Sequence, residues 1–228
     1  MERDGGNGGA FFGRRKGKKL RLGQAHLFDV LLPQLRIDLA DEMTPATLFT
    51  RPKEALWLEI GFGGGEHLLM RAQENPSVGF IGCEPFVNGM AKMLAAIDRD
   101  GFDNIRLYDA DGLNLLKRLP DASVERVYLL YPDPWPKRRQ NKRRFISDET
   151  LALIARILKV GGEFRFASDI DHYVGWTLQR VMRSPHFHWT AERPDDWRLP
   201  WAGWQSTRYE TKAICEGRKS AYLTFKRI

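Results

Sequence analysis

The chain reads as an α/β fold: a mostly parallel seven-stranded sheet with helices on both faces. Three observations predict it. From residue 55 onward, short apolar runs alternate with segments of helical periodicity, the pattern of a sheet covered by helices on each side. The first run ends in Gly61-Phe62-Gly63-Gly64-Gly65, a stretch that lets backbone turn sharply and approach a ligand. The second ends in an acid, Glu84, nineteen residues after Gly65. In such sheets ligands collect beyond the carboxyl ends of the strands.

The elements follow in order. Residues 26–40 have apolar side chains at helical spacing, broken by Pro33, which predicts one kinked helix or two short ones. Ala55–Ile60 (ALWLEI) is a buried strand and Glu66–Glu74 a helix. Val78–Cys83 is the next strand. Residues 86–100 form a helix with Met90, Met93, Leu94 and Ile97 on one side. A strand at 104–108, a short helix at 112–119 and a strand at 124–131 follow. Residues 148–158 form a helix, with Gly161-Gly162 as its stop signal. A strand at 163–167, a helix at 170–183 and strands near 187–191 and 221–226 complete the sheet.

The length of 228 residues suits one domain, here residues 24–228 behind a Gly-rich basic arm, 1–23, expected to be mobile. No apolar run approaches the ~18 residues of a membrane span. Two cysteines, Cys83 and Cys215, far apart, exclude a disulfide scaffold and a four-thiolate zinc site, and reduced thiols fit a cytoplasmic protein. The pair Arg14-Arg15 is not followed by the apolar stretch an export signal needs. The net charge of +7 is uneven: residues 1–21 carry +5 and residues 137–144 (KRRQNKRR) carry +6, which leaves −4 on the rest. Each basic block must be solvated or matched by a polyanion. The five histidines show no metal pattern; His186 and His188 share a strand face without partners.

The strand ends carry the chemistry. Glu84 is placed to accept from two ribose hydroxyls. The sixth position of the glycine run is Glu66, not the glycine of a dinucleotide site. An anion there opposes a pyrophosphate but suits S-adenosylmethionine, which has no phosphate and bears a sulfonium cation. Asp109 and Asp111 follow the third strand; Asp111 is preferred as an acceptor for the adenine amine, and either could cap the helix from Gly112. After the fourth strand, Tyr131-Pro132-Asp133-Pro134-Trp135-Pro136 traps Asp133 between two prolines and leads into the basic block, a base-binding loop beside a phosphate-binding patch. Asp169 is either a site residue or a helix cap. Trp189, Trp197, Trp201 and Trp204 read mainly as loop packing.

LEIGFGGG, GCEP, YPDPWPK with NKRR, ASD (167–169) and TRYE (207–210) together resemble the bacterial tRNA (guanine-N7)-methyltransferase family, over roughly residues 55–228. Pro136 stands where that family often has histidine, and Arg208 and Tyr209 where its tail motif has Lys and Phe. The resemblance implies a Rossmann-like class I methyltransferase fold, S-adenosylmethionine as cofactor, no metal, and a tRNA guanine at position 46 as target (EC 2.1.1.33). It implies that Glu59, Glu84, Asp111 and Asp133, with Gly61, Gly63 and Gly65, line the cofactor site, and that Asp133 is the catalytic carboxylate. Lys137, Asp169, Thr207, Arg208, Tyr209 and Glu210 then contact the tRNA, with Arg139, Lys142, Arg143 and Arg144 along it. The residues alone leave open a methyltransferase acting on another RNA site or on a protein or DNA amine. A non-catalytic RNA-binding module ranks third, because it has no use for the glycine loop and Glu84. Monomer and homodimer are equally compatible with the sequence.

Overall fold

The computed structural model describes residues 12–228; residues 1–11, the first half of the basic arm, lie outside the described residues. The chain begins with α1 (Leu22–Val30), α2 (Leu32–Leu35) and α3 (Pro45–Leu48). The alternating part comprises β1 (Ala55–Ile60), α4 (Glu66–Glu74), β2 (Val78–Cys83), α5 (Val87–Asp100), β3 (Ile105–Tyr108), α6 (Gly112–Arg118) and β4 (Val124–Leu130). A 3-10 helix spans Arg138–Arg143, followed by α7 (Asp148–Ile157), β5 (Leu158–Ser168), α8 (Asp171–Val181) and β6 (Phe187–Trp189). The chain closes with α9 (Asp195–Arg198), α10 (Arg208–Cys215) and β7 (Ala221–Arg227). Pro33 sits in the first turn of α2, where its missing N–H costs nothing, so the expected helix becomes two.

The seven strands form one sheet in the order β3-β2-β1-β4-β5-β7-β6. The first five are parallel, and β7 runs antiparallel to both its neighbours. Strand order reverses between β1 and β4, so a crevice opens above their carboxyl ends. The two-residue period of β1 assigns its side chains. Leu56, Leu58 and Ile60 join the core with Leu115 of α6, Ile154 of α7 and Tyr173 of α8. Ala55 joins the opposite core with Leu68 of α4 and Met90 and Met93 of α5. Both faces are therefore dry.

Two differences from the sequence reading have clear causes. Gly161-Gly162 does not stop the helix. Helix α7 ends at Ile157 and β5 starts at once, while the glycine pair lies where register with β4 slips between Val124 and Arg126. Gly161 has φ 77°. A Cβ on Gly162 would meet the carbonyls of Lys159 and Glu125 at 2.8 and 2.9 Å. The pair serves a bulge, where glycine is also favoured. Helices α3, α9 and α10 are short additions that periodicity over a few residues does not reveal. Arm residues 15–18 lie against the start of α5: the Arg15 carbonyl accepts from Val87 N at 2.9 Å. Gly17 N donates to Asn88 Oδ1, and Asn88 Nδ2 to the Lys18 carbonyl, each at 2.7 Å.

Candidate active site

A cavity of about 650 Å³ lies above the carboxyl ends of β1 and β4. Its floor is the glycine loop, where Gly61 and Gly63 hold left-handed backbone (φ 75° and 58°). Gly63 N donates to Glu84 Oε2 at 2.7 Å, and Phe86 N to Glu84 Oε1 at 2.9 Å. Each carboxylate oxygen keeps a further lone pair for a ligand. Burial raises the pKa of Glu84, the two backbone bonds oppose this, and the nearby charges of Asp133 and Glu59 add to the rise. Asp111 lines the cavity and also caps α6, accepting from Leu113 N at 3.0 Å. The rival Asp109 is paired with Arg36 at 2.5 Å.

Asp133 stands across the cavity on the proline loop. The residues flanking it, Tyr131 and Trp135, both have positive φ (49° and 42°), a conformation that costs a non-glycine residue about 1–3 kcal/mol and collects at functional sites. The Tyr131 hydroxyl donates to Ser220 Oγ at 2.9 Å. Asp133 is exposed, yet the protein packed around its carboxylate removes enough water to raise its pKa above the ordinary aspartate value. Three carboxylates (Glu84, Asp111 and Asp133) thus converge on a glycine cradle. That donor set fits a cationic nucleoside such as S-adenosylmethionine. Glu66 occupies the first turn of α4, where a pyrophosphate would need the helix end.

Basic residues rim the opening. Lys142, Arg143 and Arg208 line it, as does Tyr209, whose ring would lie 3.1 Å from a Cβ on Gly63; Arg144 borders the cavity from the interior. The Arg143 guanidinium sits 5.0 Å from the ring centres of both Phe12 and Trp135. Lys137 and Arg139 are exposed beside the opening but do not line the cavity.

Several expected site residues lie elsewhere. Glu59 points to the α4 face of the sheet, where its Oε2 meets His67 Nδ1 at 2.6 Å in the interior. Gly65 starts α4 in left-handed backbone (φ 86°), and a Cβ there would strike Met93 at 2.5 Å. Asp169 does not cap α8; it pairs with Arg218 at 2.6 Å. Thr207 caps α10, accepting from Glu210 N at 3.2 Å. Glu210 is 2% exposed. It accepts from Trp204 Nε1 at 2.7 Å and from the Tyr222 hydroxyl. Trp201 and Trp204 pack on Tyr222 at 5.5 and 5.7 Å between ring centres.

Sequence reasoning passed over Gly89. A Cβ there would lie 2.2 Å from the Gly63 carbonyl oxygen, so α5 presses directly on the glycine loop. The signal was an Asn-Gly pair inside a helical run, which marks close packing. Phe12 and Arg14 also line the cavity; no motif marks them.

Among the described residues, no helix is long and apolar enough to cross a membrane, and no three His, Cys, Asp or Glu side chains group to hold a metal. The fold resembles an antibiotic-resistance methyltransferase, Kmr, with TM-score 0.53 at 17% identity, covering 82% of this chain and 96% of that one. An rRNA methylase from Streptococcus thermophilus gives TM-score 0.52 at 13% identity, over 83% and 92% of the two chains. The family model described as "Putative methyltransferase" matches residues 53–223. The tRNA (guanine-N(7)-)-methyltransferase of Rhizobium meliloti (strain 1021) is 59% identical over 96% of this chain and 95% of its own. That of Bradyrhizobium diazoefficiens is 57% identical over 96% and 93%. Identity at this level over nearly the full length of both proteins settles kinship: the chain belongs to the tRNA (guanine-N7)-methyltransferase family.

Proposed function

We propose that this protein transfers a methyl group from S-adenosylmethionine to N7 of a tRNA guanine, at position 46 in the variable loop. The observation that carries the reading is Asp133, held on a strained proline loop across from Glu84 and Asp111, with a basic run leading away from the same loop.

Bound in the cavity, S-adenosylmethionine supplies an electrophilic methyl group whose bonding pair leaves with sulfur. Gly61 and Gly63 form the cradle, Glu84 accepts from the ribose hydroxyls, and Asp111 from the adenine amine. Guanine N7 carries a free lone pair, so no side chain has to remove a proton to make it nucleophilic. The chain supplies alignment, which contributes on the order of several kcal/mol, and a fixed negative charge. Asp133 takes the catalytic role: it accepts from guanine N1–H and the exocyclic amine, or balances the positive charge arriving on the ring.

Lys137, Arg139, Lys142 and Arg143 are the proposed phosphate contacts. From α10, Arg208 and Tyr209 face the RNA, while Thr207 and Glu210 hold the helix that presents them. Asp169 reaches substrate only by parting from Arg218. The −4 body then holds the cationic cofactor, and the basic segments hold the polyanion.

The test is to incubate the protein with labelled S-adenosylmethionine and an unmodified tRNA transcript, then cleave the RNA chemically at 7-methylguanosine. Cleavage at the variable loop is expected. Label incorporated without that cleavage would assign a different product.

A further inference from the structure

Arg144 ends the basic run, and kinship groups it with the tRNA contacts. Its surroundings are those of an interior residue. It is 4% exposed. Its Nε donates to the Pro134 carbonyl at 2.8 Å, and Nη2 reaches the Trp135 carbonyl at 3.5 Å. Nη2 also donates to His172 Nδ1 at 2.8 Å. The guanidinium lies over two rings from α8, Tyr173 at 4.8 Å and Trp176 at 4.9 Å. Among the described residues no carboxylate pairs with it. A buried cation without an anion is expensive; here carbonyls and aromatic faces offset part of the cost, and Nη1 is buried without a hydrogen-bond partner.

The loop explains why an arginine is needed. Three of residues 132–136 are prolines and have no N–H. The loop cannot brace itself with its own backbone bonds, yet Trp135 within it and Tyr131 directly before it are held at positive φ. The carbonyls of Pro134 and Trp135, directly after Asp133, need a donor from outside. A planar guanidinium can span neighbouring acceptors and still reach α8; an ammonium cannot. Arg143, next in the chain, turns the other way, toward Phe12 and Trp135.

We infer that Arg144 is a positioning residue: it clamps the Pro134 and Trp135 carbonyls to α8, fixes the Asp133 carboxylate over the cavity, and contacts no tRNA phosphate. The role of Asp133 in this statement rests on the proposed function; the clamp does not.

The experiment uses the full chain with Arg144→Lys and His172→Ala, and with Arg144→Gln for the salt dependence. His172 is exposed and tolerates truncation, so the second variant keeps the test open if the first fails to fold. For Arg144→Lys, the single-turnover methylation rate with tRNA and cofactor saturating is expected to fall about 10- to 100-fold, the scale of a misplaced reacting group. In Arg144→Gln, which removes the charge, the slope of log affinity for tRNA against log salt stays unchanged, because no phosphate contact is lost. In Arg144→Lys, calorimetric affinity for S-adenosylhomocysteine changes by less than about twofold, and exchange of the Tyr131 amide, which donates to the Ala167 carbonyl at 2.8 Å where the loop begins, accelerates about tenfold. His172→Ala moves rate and exchange the same way by less. A salt slope lowered by ~0.7–0.9 in Arg144→Gln with the saturated rate kept would make Arg144 a phosphate contact and overturn the inference. Unchanged exchange at Tyr131 in both Arg144→Lys and His172→Ala would also overturn it. Absence of 7-methylguanosine from the parent enzyme would overturn the proposed function alone, since exchange still reports on the clamp.

Discussion

At the scale of single residues, Asp133 sets the pH behaviour of the proposed reaction. The protein packed around its carboxylate raises its pKa, and it is useful only as the carboxylate. The single-turnover rate should therefore fall on acidification with a limb above the ~3.9 of a free aspartate, and Asp133→Asn should abolish that limb with most of the rate. The stability consequence has the opposite sign. A carboxyl whose pKa is raised on folding binds its proton more tightly in the folded state, so its contribution is favourable at low pH and is lost as pH rises through the folded value. At pH 7.5 the Asp133→Asn protein should unfold at an equal or higher temperature than the parent by calorimetry. A lower Tm would mean that the charge is compensated in the fold. Asp133 was legible in the sequence because two prolines leave it little choice of place. Glu59 and Glu210 were not, because motif membership says nothing of where a side chain points. Strand alternation sends Glu59 to His67, and helix α10 turns Glu210 inward to Trp204 and Tyr222.

At the scale of elements, β1, α4 and β2 have the bounds the sequence predicts, since strand apolarity and glycine punctuation agree there. The contact between α5 and the glycine loop was not legible as a site feature. It makes a prediction: Gly89→Ala drives a Cβ into the Gly63 carbonyl, and overpacking of this kind costs about 1–3 kcal/mol. Affinity for S-adenosylhomocysteine, by calorimetry, should weaken about tenfold or more while circular dichroism keeps the helix signal. Unchanged affinity would mean that the loop yields freely. Helix α10 was hidden because its first residues were read as chemistry. Thr207 is its cap, so Thr207→Ala should cost about 1 kcal/mol in urea unfolding and Thr207→Ser should restore most of it. If the alanine variant unfolds like the parent, the cap contributes nothing.

For the whole molecule, a mostly parallel seven-stranded sheet with its site beyond the carboxyl ends of the strands followed from alternation, whereas the strand order, with its reversal between β1 and β4, is seen only in the fold. The reversed direction of β7 did not, because a strand's direction is set by its connection. Charge placement gives the molecular prediction. Affinity for tRNA should fall steeply with salt, and removal of residues 1–21 should lower the log–log slope by ~0.7–0.9 for each phosphate the arm neutralises. A slope that survives the deletion would assign no phosphate to the arm. The reversal of β7 has a further consequence. The chain leaves the sheet after Trp189 and rejoins it at Ala221, with Thr190 already bonded to Thr224. The excursion between them carries α10 to the cavity and contains no described strand. Exit and re-entry lie a few residues apart on one edge, so residues 191–219 form a cassette. A graft from a relative that keeps Arg208 and Tyr209, which also line the cavity, would exchange the face shown to RNA without re-threading the scaffold, which makes this the segment in which new tRNA preferences can be evolved.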